Sequence, residues 1–289
     1  MTAALEVGRP EAVAGRTALV ALAAREMRRF VLNPVFLFAV VMTAWTTWTG
    51  GGGTTTEIDN VNGYPAVFLG GFGMMATYWL TRSMRASEPV AGVTPTTRPT
   101  RTAALCWVAI VPFFCGVLTL FGFLRSYPVG DAVYGPFSPS AQVAVLVGQI
   151  VVPSLGGPLL GVALGRWVRF PGAGFVLFLV IFGWVELVTI LTLSHQDSAP
   201  IAVLRLFSPF AFFTVQADSG AVTAWRGSPW FFIGWQLALC AIAVLVALLR
   251  GAEGPVRSRI IRALAIAGVA AVILLVLAGT GGFTHAVTA

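Results

Sequence analysis

The chain has 289 residues, 57% of them hydrophobic and only 10% charged, with a mean hydropathy of +0.86. A soluble domain carries about 25% charged residues, so this composition excludes soluble enzymes, disordered chains and disulfide scaffolds and leaves one integral membrane domain. The formal net charge is +7 and all 18 basic residues are Arg, set in short clusters between apolar runs as in membrane loops and not as in a nucleic-acid binder.

Taken in chain order, the N-terminal segment 1–33 comes first. Its first long apolar run starts only near Pro34, behind Arg25, Glu26, Arg28 and Arg29, which is not the layout of a signal peptide. Residues 17–32 predict an amphipathic helix. At helical spacing Arg25, Glu26, Arg28 and Arg29 share one arc, opposite Val20, Ala23, Met27, Phe30 and Val31. Such a helix lies along the inner leaflet with its charges toward headgroups, and Asn33-Pro34 breaks it.

A membrane span needs about 20 mostly apolar residues. Segments 34–53, 64–81, 102–124, 141–164, 172–193 and 229–249 meet this, and 263–279 is a shorter seventh candidate. The expected fold is therefore all-α: a polytopic helix bundle with a six-span core over 34–249, then a linker and a seventh span with a short tail in 250–289. The runs are continuous and do not alternate, which argues against a β-barrel. With the N-terminus inside, fifteen of the 18 arginines fall on the cytoplasmic side and only Arg125, Arg205 and Arg226 outside, the bias of a cytoplasmic N-terminus. Two connections stand out: the Pro- and Thr-rich inner loop 82–101, and the outer stretch 194–228. The latter holds PIAVLRLFSPFAFFTV, apolar but Pro-broken, and suits a pair of short re-entrant or interfacial helices.

Catalytic motifs are missing. Without Lys there is no P-loop, and no HExxH, GxSxG or Cys/His cluster occurs; no catalytic and no metal-binding residue is expected. Cys106, Cys115 and Cys240 lie in apolar runs and read as buried small hydrophobes. His195 and His285 sit at span ends and read as interfacial residues. Glu186, in GWVELVTI, is an ionisable group near the middle of the fifth span. A carboxylate there is costly and faces either a cargo path or gate, or a neighbouring helix. Gly157, Gly161 and Gly165 form a small-xxx-small stripe that permits close helix contact, inside the subunit or at a dimer seam. Trp45 and Trp48, near the outer end of the first span, either line a cargo path or anchor the chain at the interface.

Three features together resemble the permease subunit of type-2 ABC transporters, the bacterial exporter family related in fold to the ABCG transporters. AREMRRFVLNPVF is similar to that family's interfacial connecting helix. RASEPVAGVTPTTRPTR is similar to its loop after the second span, with Glu88, Thr94-Pro95 and Arg98 at corresponding relative places. LRLFSPFAFF is similar to the outer segment after the fifth span, with Ser208-Pro209 at its turn. The resemblance covers residues 17 to 249 in order. It implies a multi-pass plasma-membrane subunit with no catalysis and no cofactor of its own. A separate cytosolic ABC ATPase would carry ATP and Mg, and a second permease subunit, identical or different, would complete the core. It further implies ATPase coupling through Arg25, Glu26, Arg28 and Arg29, through Met84, Arg85, Glu88 and Arg98 of the inner loop, and through Arg166, Trp167 and Arg169. The apolar, aromatic spans suit a drug, peptide antibiotic or lipid as exported cargo. The family core has six spans, so 263–279 departs from it, as does Pro89 where a coupling helix would begin. A stand-alone secondary transporter or channel using Glu186 is the alternative.

Overall fold

A computed structural model describes residues 9–49, 63–86, 97–126, 137–194, 204–208, 214–216, 222–224, 227–281 and 287–288. Helix α1 (Arg9–Val31) meets α2 (Pro34–Thr49) at a bend of 64°. Pro34 cannot continue the preceding helix, and the Asn33 side-chain oxygen accepts the Val35 backbone N–H at 2.9 Å, as an N-cap does. A π-helical stretch Ala66–Phe72 runs into α3 (Gly73–Ala86). Helices α4 (Arg98–Trp107) and α5 (Ile110–Ser126) follow nearly end to end. Then α6 (Pro139–Leu146) continues through a second π-helical stretch, Val147–Val151, into α7 (Val152–Trp167). Pro153 has no N–H to give to the carbonyl one turn back, which is the usual origin of such a local widening. Helices α8 (Ala173–Ser194), α9 (Pro229–Leu249) and α10 (Gly254–Thr280) complete the bundle.

The fold is that of a helical membrane protein. Among the described residues four helical stretches are long and apolar enough to cross a bilayer: Arg98–Ser126, Pro139–Trp167, Pro229–Leu249 and Gly254–Thr280; the bent pair α1–α2 is a fifth if taken as one span. Helix α3 is different in kind. Nine of its 14 residues are buried, so its surface meets other helices and can carry Thr77, Thr81 and Arg85 that a lipid-facing helix could not.

The centre of the bundle is the α3–α7 contact, and glycine makes it. A Cβ on Gly157 would run into the carbonyl and Cα of Gly70, and one on Gly161 into the Met74 carbonyl oxygen and Thr77 Oγ1. One on Gly165 would stand 2.7 Å from Thr81 Cβ. The small-residue stripe thus packs inside the subunit, backbone against backbone. Across this seam Thr77 Oγ1 donates to the Pro158 carbonyl at 2.9 Å.

The expected all-helical chain needs one amendment. Three short strands, β1 (Thr214–Gln216), β2 (Val222–Ala224) and β3 (Val287–Thr288), form an antiparallel sheet in the order β1-β2-β3. In the stretch 194–228, expected to hold two short helices, the described residues show a 3-10 turn, Arg205–Phe207, and the strands β1 and β2. Ser208 is extended there (φ −78°, ψ 132°), as the residue before a proline prefers. The tail strand pairs Thr288 with Thr223 and Val287 with Ala224, and the Ser228 N–H donates to the Ala278 carbonyl at 2.8 Å. The C-terminal tail therefore lies at the end of the bundle that holds the α8–α9 connection.

Candidate functional site

Two features of the bundle can carry function: a cavity among the helices, and a junction of helix ends that gathers the arginines.

The cavity has a volume of about 410 Å³, within the range of small-molecule sites. Its walls come from the π-helical stretch before α3, from α7, α8 and α9, and from Phe207 of the 3-10 turn. Gly70 and Gly71 on one side and Gly156 and Gly157 on the other leave the space that side chains would fill. Phe178, Phe182 and Trp235 supply aromatic surface, and Gln236 is its polar side chain. Gln236 is buried, and its Nε2 donates to the Gly148 carbonyl at 2.9 Å. That bond fixes the amide at the second π-helical stretch and turns the remaining lining into an almost wholly apolar surface. Such a space can hold an apolar or amphipathic molecule, with the free thiol of Cys240 among its walls.

Of the residues expected on a cargo path, none lines this cavity. Glu186 is exposed on α8, four residues and so one helical turn beyond the lining residue Phe182, which places it beside the cavity on the bundle's outer surface. Trp45 and Trp48 are 64% and 90% exposed on α2, the placement of interfacial anchors. The lining residues Phe178, Phe182, Phe207, Trp235 and Gln236 escaped the sequence reading. A glutamine within an apolar run, in GWQLALC, is the signal in the sequence that points to this wall.

At the other end of the bundle the expected coupling residues come together in part. Helix α1 does not present Glu26 to headgroups alongside the arginines, as its helical arc predicted. Glu26 is only 2% exposed and pairs with Arg29 at 2.9 Å, while Arg29 Nη2 donates to Ser83 Oγ on α3 at 3.2 Å. The physical reason is that α1 lies over α3 and α4, so the arc holding Ala23, Glu26 and Phe30 is covered by protein and the carboxylate needs its cation. Arg25 and Arg28 remain exposed, and so do Val20 and Val31 of the expected apolar arc. Met84 is buried at the end of α3. Next to it Arg85 Nη1 donates to the Arg166 carbonyl at 3.3 Å. Arg166 is itself only 4% exposed. Trp167 Nε1 donates to the Val246 carbonyl of α9 at 2.9 Å, and the Arg250 guanidinium lies 5.0 Å from the centre of the Trp167 ring, a cation–π distance. A Cβ on Gly251 would meet Arg98 Cβ at 3.2 Å and Arg166 Nη2 at 3.6 Å, so the ends of α4, α7 and α9 converge there. Arg169 is exposed beyond the end of α7. Glu88 and the rest of the inner loop from 87 to 96 lie outside the described residues, as do His195 and His285.

Among the described residues no group of three or more His, Cys, Asp or Glu could hold a metal ion. Cys106 and Cys115 are partly buried and Cys240 is buried, all as free thiols.

The class defined by these features is a helical membrane protein with an internal apolar cavity. No protein-family model matches the chain, and no curated protein or solved structure is significantly similar to it.

Proposed function

We propose that the chain is the transmembrane permease subunit of an ATP-driven ABC exporter of the plasma membrane, moving a hydrophobic or amphipathic cargo such as a drug, peptide antibiotic or lipid. The observation that carries this reading is mechanical. The helices that wall the apolar cavity, α7 and α9 together with the stretch that opens α3, are the ones joined through Arg85, Arg166, Trp167 and the cavity residue Val246. A push on that junction or on α1, tied to it at Ser83, would be felt at the cavity walls. Because the interior is close-packed and backbone-to-backbone at the glycine seam, displacement passes along these helices and is not absorbed locally.

In this reading the arginine-rich end faces the cytoplasm, following the positive-inside bias, and α10 is a seventh span that returns the tail to the outer side. ATP and Mg belong to a separate cytosolic ATPase, and a second permease subunit, identical or different, completes the transporter. The loop after α3, with Glu88 and Arg98, is the main contact for the ATPase.

The test is affinity purification from the native host in mild detergent followed by mass spectrometry. A stoichiometric Walker-type ATPase is the expected companion, and a second permease, if present, reveals a heterodimer. A purified complex with no ATPase sinks the proposal. A second reading, a stand-alone secondary transporter or channel, then moves forward, favoured by the placement of Glu186 on an apolar helix beside the cavity.

A further inference from the structure

The convergence of helix ends at the arginine-rich face has a chemistry of its own. Arg85 closes α3, Arg98 opens α4, Arg166 closes α7 and Arg250 follows α9. Four helices therefore deliver four guanidinium groups to one corner, tied by the contacts around Trp167 and Gly251. Two carboxylates, Glu88 and Glu253, are the nearest in sequence to these four arginines. Holding like charges together costs energy unless an anion is shared among them. Arg98 and Arg250 are exposed and Trp167 is 44% exposed, so the corner is open from outside the bundle.

Its position names the anion. The corner lies where apolar spans end, at the depth of phospholipid phosphates, and an exposed Trp beside Arg is the usual composition of that layer. Basic pockets between span ends bind the headgroups of anionic phospholipids, and the forked guanidinium matches phosphate oxygens two at a time. Exposed apolar residues are present at this end of the chain's helices too: Phe170 in the α7–α8 connection, and Phe175 and Val176 in the first turn of α8.

We propose that this corner is a binding site for an anionic phospholipid, its phosphate held by Arg98 and Arg250 over the support of Arg166 and Trp167. The site requires only that these helix ends lie at a membrane face. It does not depend on the transport reading; where an ATPase docks on Arg98, lipid and ATPase compete for that side chain.

The test is lipid retention measured by native mass spectrometry on the full-length protein, taken from mild detergent after incubation with cardiolipin, phosphatidylglycerol or phosphatidylcholine. Wild type is expected to keep cardiolipin and phosphatidylglycerol in preference to phosphatidylcholine. The R98Q/R250Q double variant is expected to lose that preference by about tenfold or more. R257Q/R259Q removes the same charge from exposed arginines of α10 that make none of the corner's contacts, and is expected to behave as wild type. Single R98Q and R250Q variants, each checked for an unchanged gel-filtration profile, cover the case in which the double variant does not fold. Equal loss in R257Q/R259Q would show a diffuse charge effect, and undiminished anionic-lipid retention in R98Q, R250Q and their combination would leave the corner without this ligand; either result overturns the proposal. So would displacement of the bound lipid by inorganic phosphate at millimolar concentration, which would mark a site for a soluble anion.

Discussion

Gly157→Ala is the sharpest probe of the fold. A Cβ at this position would strike Gly70, whose Cα lies 2.8 Å from it with the carbonyl nearer still. The obstacle is backbone, so no side-chain rotation relieves it; α7 and α3 must separate. Overpacking of this kind costs about 1–3 kcal/mol. Alanine returns up to about 1 kcal/mol of helix propensity, and Gly268→Ala measures that return, because a Cβ on Gly268 meets nothing within 4 Å. A net loss of about 2 kcal/mol corresponds to a melting temperature lower by roughly 4–8 °C at this chain size. The assay is intrinsic tryptophan fluorescence during a thermal ramp in one detergent at one scan rate. Gly268→Ala is expected to match or slightly exceed wild type. If Gly157→Ala melts with Gly268→Ala, the helices do not meet at Gly70 and the central seam is wrong.

Thr77→Val removes the bond to the Pro158 carbonyl while keeping the shape, and should lower the same melting point by only about 1–3 °C, since such bonds within membranes contribute about 0.6 kcal/mol. Arg29→Gln strands the buried Glu26 carboxylate and should destabilise by about 1–3 kcal/mol, discounted because Arg29 is half exposed; adding Glu26→Gln should restore most of the loss in a double-mutant cycle. Cysteines at 223 and 288, paired across β2 and β3, should form a disulfide in mild oxidant, read as a mobility shift after proteolysis between them. Failure to cross-link would separate the tail from the α8–α9 connection.

Sequence period and composition were enough to recognise a helical membrane bundle, the break at Asn33-Pro34 and the value of the 157–161–165 stripe, because each rests on a local rule: length of an apolar run, loss of an N–H, absence of a Cβ. What they could not supply was the identity of the neighbour. The glycine stripe could have met another subunit as well as α3; only the backbone of Gly70 and Met74 opposite it decides. Helical phase put Glu26 on the arc of its flanking arginines, yet burial is set by what lies over the arc, here the end of α3 with Ser83. The cavity was invisible for the same reason. It is an absence shared by five separated segments, Gly70-Gly71, Gly156-Gly157, Phe178 to Phe182, Phe207 and Trp235 to Val246, none unusual on its own. Glu186 drew attention because one charge in an apolar run stands out in a sequence, whereas Gln236, which lines the cavity and bonds to Gly148, does not. In a bilayer an amide needs a partner almost as much as a carboxylate does. A search of apolar runs for every polar side chain, and not for charges alone, would therefore have led from the sequence to the cavity wall.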